Sequence, residues 1–400
     1  MTGGAPRDVF LVAGEKSGDE LGYKLMRALR EASGGQVRLR GVGGEAMERE
    51  GLATLFPQSD IAVMGFLPVI ARLPTLLRRI AETADAVIAD PPDVLVIIDS
   101  PDFTHRVARR VRAQLPHLPI VDYVSPTVWA WRPGRAPRMR GYVDHLLALL
   151  PFEPAVHARL GGPVTTYVGH PLIERLSDFR PNAQDAALRA ATPPTVLLLP
   201  GSRRSEIARL LELFGKTAAR IEALAGPVDF VLPAVTHLEG AIRAGVAKWP
   251  RPPRVVLGEA EKLTAFRRAR AALAASGTVS LELALAGVPM VVAYRVGKIE
   301  EMIVRALATA PSVVLPNLIL GENVVPEFLQ EAASLEALAQ ALCALLPEGP
   351  ARAAQVGALA RLDGLMRLEG GDTPSARAAR IVLEMARQTR AFSYRSSPAT

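Results

Sequence analysis

Cysteine is nearly absent: the one residue, Cys343, excludes a disulfide framework and any multi-cysteine zinc or iron–sulfur site. Its run Ala341-Leu342-Cys343-Ala344-Leu345-Leu346 reads as a place for a small buried hydrophobe. Aromatic residues are also scarce, at 5%. The 49% apolar content is therefore largely Ala, Leu and Val, the usual filling of helix-on-sheet packing. No stretch of 18 uncharged apolar residues occurs, so no segment qualifies as a membrane-spanning helix. The start, Met1 to Asp8, lacks the basic region, long apolar region and cleavage site of a secretory signal. No Asp-x-Asp triplet occurs, which disfavours a metal-clamped diphosphate. The expectation is a cytoplasmic chain with at most a peripheral membrane attachment.

What is present is more specific. A mean hydropathy of +0.19 excludes a disordered or fibrous protein. Four hundred residues favour two domains, or one large α/β unit. The net charge of +7 suits phosphates, nucleic acid or an anionic membrane surface without choosing among them.

Short β-rich runs alternate with helical patterns, the signature of βαβ units and parallel sheets. Strands are expected at Asp8–Ala13, Val37–Val42, Val94–Ile98 and Ile120–Val124, with helices at Glu20–Ala32 and Arg106–Gln114. A polar, weakly periodic stretch, Glu174–Pro194, reads as an interdomain linker. The pattern restarts with strands at Thr195–Leu199, Phe230–Leu232, Arg254–Leu257, Ala271–Ala274 and Met290–Ala293, and a helix at Ser205–Ala218. Strand, glycine turn and helix occur at Gly14 and again at Gly201, so two doubly wound domains fit better than one sheet. Asp372–Gln388 reads as a terminal helix and Ala391–Thr400 as a frayed tail.

Several turns carry candidate chemistry. The loop Gly14-Glu15-Lys16-Ser17-Gly18-Asp19 is neither a dinucleotide fingerprint nor a P-loop, and its acids oppose a phosphate cradle. A tight turn with Asp19 and Glu20 charging the helix start is the plainer reading. In Ile98-Asp99-Ser100-Pro101-Asp102, two carboxylates stand at a strand's C-terminal edge, where α/β sheets bind ligands. Asp99 is the better general base, and Asp102 reads as a helix cap. At Gly201-Ser202-Arg203, orphan amides, a helix dipole and an arginine suit a leaving diphosphate; a surface cap is the alternative. At Ser276-Gly277-Thr278 a strand again meets a small-residue turn and a helix, with Glu282 about one turn in, where a carboxylate can accept both hydroxyls of a ribose.

Trp129 and Trp131 lie beside Arg132, a grouping that fits a phosphorylated amphiphile, a stacked sugar, single-stranded nucleic acid or simply a buried tryptophan pair. His170, in Tyr167-Val168-Gly169-His170-Pro171, sits at a strand end, in a structural or a functional role. The apolar stretch Ile61–Leu77, holding Met64, Phe66 and Arg72, with Arg78 and Arg79 behind it, reads as core packing or as an amphipathic element for a membrane or acyl chains.

Taken together, ten collinear segments resemble the lipid-A-disaccharide synthase family, bacterial glycosyltransferases of endotoxin assembly. They are AGEKSGDELG (13–22), GVGGEAM (41–47), MGFLPVI (64–70), IDSPDF (98–103), YVSPTVWAWR (123–132), LLPFEP (149–154), YVGHPLIE (167–174), LLPGSRRSEI (198–207), ASGTVSLELALAGVPMVVAYRV (275–296) and LPNLILGENVVPEFLQ (315–330). The resemblance implies a GT-B fold: an α/β chain of two Rossmann-like domains facing across a cleft, with a C-terminal helix returning to the first. Residues 1–175 would form the acceptor and lipid side, 176–370 the UDP-donor domain, 371–390 the returning helix and 391–400 a flexible tail.

The implied reaction is inverting and needs no cofactor or metal. UDP-2,3-diacylglucosamine is the donor, 2,3-diacylglucosamine 1-phosphate the acceptor, and the β(1→6) disaccharide 1-phosphate and UDP the products. With it we assign Asp99, Ser17 and Glu15 to catalysis. Gly201, Ser202, Arg203, Ser276, Gly277, Thr278, Glu282 and Asn317 go to the UDP donor. Met64, Phe66, Arg72, Trp129, Trp131, Arg132 and His170 go to the acceptor and its lipid. The inner-membrane surface is the expected partner, nucleic acid is not, and a homodimer is compatible with the reading. The alternatives are another GT-B enzyme on a UDP-sugar, such as a UDP-N-acetylglucosamine 2-epimerase or a MurG-like transferase, or a binding protein that keeps the fold.

Overall fold

The computed structural model describes residues 6–61, 66–297, 301–302 and 310–396. The chain divides into two compact units, one of residues 1–174 with 368–400 and one of residues 175–367.

The first unit is built on a six-stranded sheet of β1 (Arg7–Ala13), β2 (Val37–Val42), β3 (Val94–Ile98), β4 (Ile120–Tyr123), β5 (His145–Ala148) and β6 (Val164–Tyr167). All strands pair in parallel, in the order β2-β1-β3-β4-β5-β6. β3 is buried at all five positions, as a parallel strand covered on both faces must be. Alternate residues of β1 serve opposite faces. Val9, Leu11 and Ala13 join a core with α1 (Lys16–Ala32) and the C-terminal helix Pro374–Ser396. Phe10 and Val12 join a core with α3 (Phe66–Ala89) and α4 (Pro101–Gln114).

The second unit repeats the plan with β7 (Thr195–Leu199), β8 (Asp229–Ala234), β9 (Arg254–Leu257), β10 (Ala271–Ala275), β11 (Met290–Tyr294) and β12 (Glu327–Leu329). Their order is β12-β11-β10-β7-β8-β9, again parallel throughout. Each sheet reverses its winding direction once, at β1/β3 in the first unit and at β7/β10 in the second. A reversal leaves a crevice beyond the carboxyl ends of the two strands, because the flanking helices leave on opposite faces.

Three local expectations are corrected. The stretch 174–194 is no free linker: helices Leu176–Phe179 and Ala183–Arg189 dock into the second unit. Buried Asp185 there accepts from Arg267 Nε at 2.9 Å and Arg268 Nε at 2.8 Å, which fixes the segment. The last helix runs to Ser396, so Ala391–Ser396 is helical rather than frayed. The apolar stretch keeps both its readings: residues 66–77 open α3, which passes through Pro74 without ending because packing of Ile80, Ala84 and Val87 holds its second half. Cys343 is half-buried at the margin of the second unit's core, not enclosed by it.

Candidate active site

At the β1/β3 crevice the first-unit residues converge. Asp99 and Ser100 both adopt left-handed backbone, with φ of +53° and +49°. For L-residues this is strained, and it persists only where surroundings fix it. Thr104 Oγ1 does so by donating to the Asp99 carbonyl at 2.7 Å. The turn aims the Asp99 carboxylate back at the first loop. Ser17 Oγ donates to Oδ2 at 2.7 Å, and the Ser100 amide donates to Oδ1 at 2.7 Å. Ser100 Oγ donates to Glu15 Oε1 at 2.8 Å, closing a four-residue constellation. Gly14 makes room for it: a Cβ there would lie 2.4 Å from Ser100 Cβ.

Glu15, Ser17 and Asp99 are thus brought together. Of two neighbouring readings, one is extended and one corrected. Asp19 stands in the first turn of its own helix as expected, and its buried carboxylate also accepts from the amides of Gly44, Ala46 and Met47 at 2.8, 2.9 and 3.0 Å. It thereby caps α2 (Glu45–Arg49), whose own N-cap, Gly44, has no side chain to offer. Asp102 caps nothing: Ser100 holds the N-cap position, and the Asp102 side chain is 90% exposed, 3.4 Å from Arg135.

The tryptophan segment is bracketed by two further left-handed residues, Val124 (φ +97°) and Arg132 (φ +53°). Trp129 is half-buried, edge-on to Phe152 with ring centres 5.4 Å apart, and its Nε1 donates to Glu153 Oε1 at 3.1 Å. Trp131 is exposed, with the Arg132 guanidinium 4.2 Å over its ring. Beneath them Ser125 Oγ meets His157 Nε2 at 2.8 Å. Burial pushes the Glu153 carboxyl up to about 7 and the His157 imidazole down to about 4. His170 is likewise pushed down to about 4, by burial and then by the Lys24 ammonium, and its Nδ1 accepts from the Leu172 amide.

Met64 lies outside the described residues, and Phe66 opens α3. Arg72 is exposed and donates to the Ser59 carbonyl at 3.0 Å. Leu73 and Leu77 are exposed on the same helix, as is Arg78. The reading of Arg79 as a lipid contact is corrected: it is bound by Asp60 and Glu82 and stacks on Phe56 at 4.5 Å.

In the second unit, Gly201-Ser202-Arg203 follows β7 and Ser276-Gly277-Thr278 follows β10, on either side of the other crevice. The expectation of orphan amides at the Gly201 turn is corrected. At the first, the Ser202 and Arg203 amides both donate to Glu206 Oε2, at 2.9 and 3.1 Å, and Arg203 Nη1 donates to Oε1 at 3.0 Å. The protein's own carboxylate fills the turn. At the second, Gly277 and Thr278 are exposed at the start of helix Thr278–Leu285, and among the described residues nothing lies within 4 Å of a Cβ built on Gly277. Ser276 Oγ donates to the Val313 carbonyl at 2.7 Å.

Asn317 is corrected as a donor contact. Its buried carboxamide accepts from the Val324 and Val325 amides and donates to the Val325 carbonyl and Ser312 Oγ, so it shapes its own segment. Glu282 is half-buried and meets the Lys262 ammonium at 2.9 Å. Among the described residues no group of three or more His, Cys, Asp or Glu is placed to hold a metal ion, and no helix is long and apolar enough to cross a membrane.

A family model described as lipid-A-disaccharide synthetase matches residues 9–367. The chain is 58% identical over 378 residues to the lipid-A-disaccharide synthase of Nitrobacter hamburgensis, covering 94% of this chain and 95% of that one. It is 43% identical to that of Rhodospirillum centenum, with 95% of each covered. The chain belongs to the lipid-A-disaccharide synthase family.

Solved structures similar to this family member include MurG of Acinetobacter baumannii, with a TM-score of 0.56 and 14% identity over 95% of this chain and all of that one. The UDP-N-acetylglucosamine 2-epimerase of Methanocaldococcus jannaschii gives 0.54 and 12%, over 94% of this chain and 99% of that one. At such identities the likeness shows the fold alone, which is GT-B. Sequence reading missed Ser100, Glu153, His157, Glu206 and Lys262 as parts of these sites. Glu206 had a signal: it stands at the N3 position, three residues after the N-cap, where a reciprocal capping carboxylate belongs. Lys262 had none, being 20 residues from its partner.

Proposed function

We propose that the chain is the glycosyltransferase that makes the lipid A disaccharide, transferring 2,3-diacylglucosamine from UDP to the 6-hydroxyl of 2,3-diacylglucosamine 1-phosphate. Family membership supports the reaction. The observation that carries the mechanism is the Asp99 carboxylate, fixed by the Ser17 hydroxyl and the Ser100 amide at the β1/β3 crevice. Asp99 takes the proton of the acceptor hydroxyl as that oxygen attacks the anomeric carbon. The bond to UDP breaks on the opposite side, giving inversion, and the electron pair leaves with the diphosphate. Developing charge on the diphosphate is met by the open amides at Gly277-Thr278 and by Arg203, while Glu282 takes the ribose.

Trp131, Arg132 and the α3 surface of Arg72, Leu73, Leu77 and Arg78 are assigned to the lipid side. Apolar side chains interleaved with arginines there suit acyl chains and the anionic face of the inner membrane.

The test is Asp99→Asn, assayed by UDP release from the acylated donor and acceptor. Turnover should fall by about a thousandfold, within the usual span for removing a positioned base, with UDP affinity intact. Turnover at the wild-type rate removes Asp99 from this role, and turnover on unacylated sugars removes the lipid substrates.

A further inference from the structure

Glu282 projects from the first turns of helix Thr278–Leu285, and its side chain retains 15% of its exposure. Burial raises the pKa of this carboxyl, which favours the neutral acid. One group opposes that most strongly. The Lys262 ammonium lies 3.0 Å from Oε1 and 2.9 Å from Oε2, straddling the carboxylate. Lys262 belongs to helix Glu259–Arg268, which follows β9 at the far edge of the sheet, while Glu282 follows β10. The ammonium is held from three sides: by Glu282, by Glu259 Oε2 at 3.3 Å and by the Phe266 ring at 5.6 Å. Glu259 is in turn steadied by Arg175 Nη2 at 3.3 Å. The three donors of the ammonium are thereby directed, although its four-carbon stem is flexible.

The geometry points to Lys262 as the positioning residue that presents Glu282, ionised and correctly turned, to the two hydroxyls of a ribose, and so sets discrimination between ribo- and deoxyribonucleotides. The inference rests on the assignment of Glu282 to the donor's ribose. Each carboxylate oxygen has two lone-pair sites. A straddling ammonium engages one on each oxygen and leaves one on each for a hydroxyl donor. A site built to accept from a hydroxyl discriminates strongly against the analogue lacking it, because the buried acceptor is then left unpaired.

The experiment is calorimetric binding of UDP and 2′-deoxy-UDP to the full chain, in wild type, Lys262→Met, Lys262→Arg and Glu282→Gln. Wild type should prefer UDP by about tenfold or more. Glu282→Gln should bring that ratio near one, and Lys262→Met should cut it at least about fivefold. Lys262→Arg, which keeps the charge, should restore most of it. With the acylated substrates, the loss in Lys262→Met should fall on KM for the UDP-sugar more than on kcat. A wild-type ratio in Lys262→Met beside a lost ratio in Glu282→Gln overturns the role of Lys262 and leaves the ribose assignment standing. A ratio near one in wild type, or unchanged in Glu282→Gln, overturns both. Equal losses in Lys262→Met and Lys262→Arg, with the fold intact by circular dichroism, also overturn it, since charge would then not be the cause.

Discussion

Replacing Glu153 by Gln should change how stability depends on pH, with a sign fixed by the burial of that side chain. Glu153 is enclosed behind Trp129, and desolvation raises its pKa from the ordinary 4.5 to about 7 in the folded chain. Between those two values the unfolded chain has lost the proton and the folded chain keeps it. Stability contributed by the protonated acid is therefore fully present below pH 4.5 and is lost as pH rises to about 7. At about 1.4 kcal/mol per pH unit, the span amounts to about 3 kcal/mol. The glutamine side chain of the variant carries no titrating proton, so the wild type should lose about 3 kcal/mol relative to Glu153→Gln between pH 4.5 and about pH 7.5. Urea unfolding followed by tryptophan emission reads the change directly, because the Trp129 indole donates to this carboxyl. The neighbouring His157 works in the opposite sense. Its depressed value, about 4 against an ordinary 6.5, adds stability as pH rises through that interval, so wild type alone should show a flattened profile. A difference between wild type and Glu153→Gln that does not vary with pH, or that grows in favour of wild type as pH rises, refutes the reasoning.

Asp19→Ala should destabilise the chain by about 3–6 kcal/mol in urea titration, because three buried amides lose their charged acceptor. Asp19→Asn should cost less, since the one carbonyl oxygen it keeps can still serve Gly44 and Met47. Gly14→Ala should lower kcat by about a hundredfold with UDP binding unchanged, because the added methyl displaces Ser100 and with it the Asp99 turn. Activity within a few-fold of wild type would show that this turn tolerates displacement.

The strands that sequence places correctly are the ones whose chemistry is local. Val94–Ile98 is apolar at every position and has no other reading, and the glycine turns at Gly14 and Gly201 mark where each strand gives way to a helix. β12, with three residues, is too short to show a period, and it pairs in the sheet with β11 alone. The same division runs through the site. Asp99 is legible because its position at a strand end is a fact of its own segment. Asp19, Glu206 and Asn317 are legible as polar residues near a site but not in their task, since each is engaged by backbone amides. Those amides lie at 25, 3 and 8 residues' distance, and only the middle one is close enough to read as a motif.

The two crevices hold their carboxylates in opposite ways, and the difference matches the work proposed for each. At β1/β3 the described partners of Asp99 and Glu15 are neutral donors: two serine hydroxyls and one amide. Neutral donors fix the direction of a carboxylate without pairing it to a cation, which suits a group that must meet an acceptor hydroxyl. At β7/β10 the carboxylates are met by cations, Glu206 by Arg203 and Glu282 by Lys262. Such pairs are electrically satisfied before any ligand arrives, which suits orientation and not proton transfer. It follows that the amides at the Gly201 turn, already filled by Glu206, add little fresh positive potential for a leaving diphosphate. The open amides at Gly277-Thr278 add more. Mutational loss of leaving-group stabilisation should therefore concentrate at the second turn, where a helix start stands exposed and, among the described residues, no carboxylate fills it.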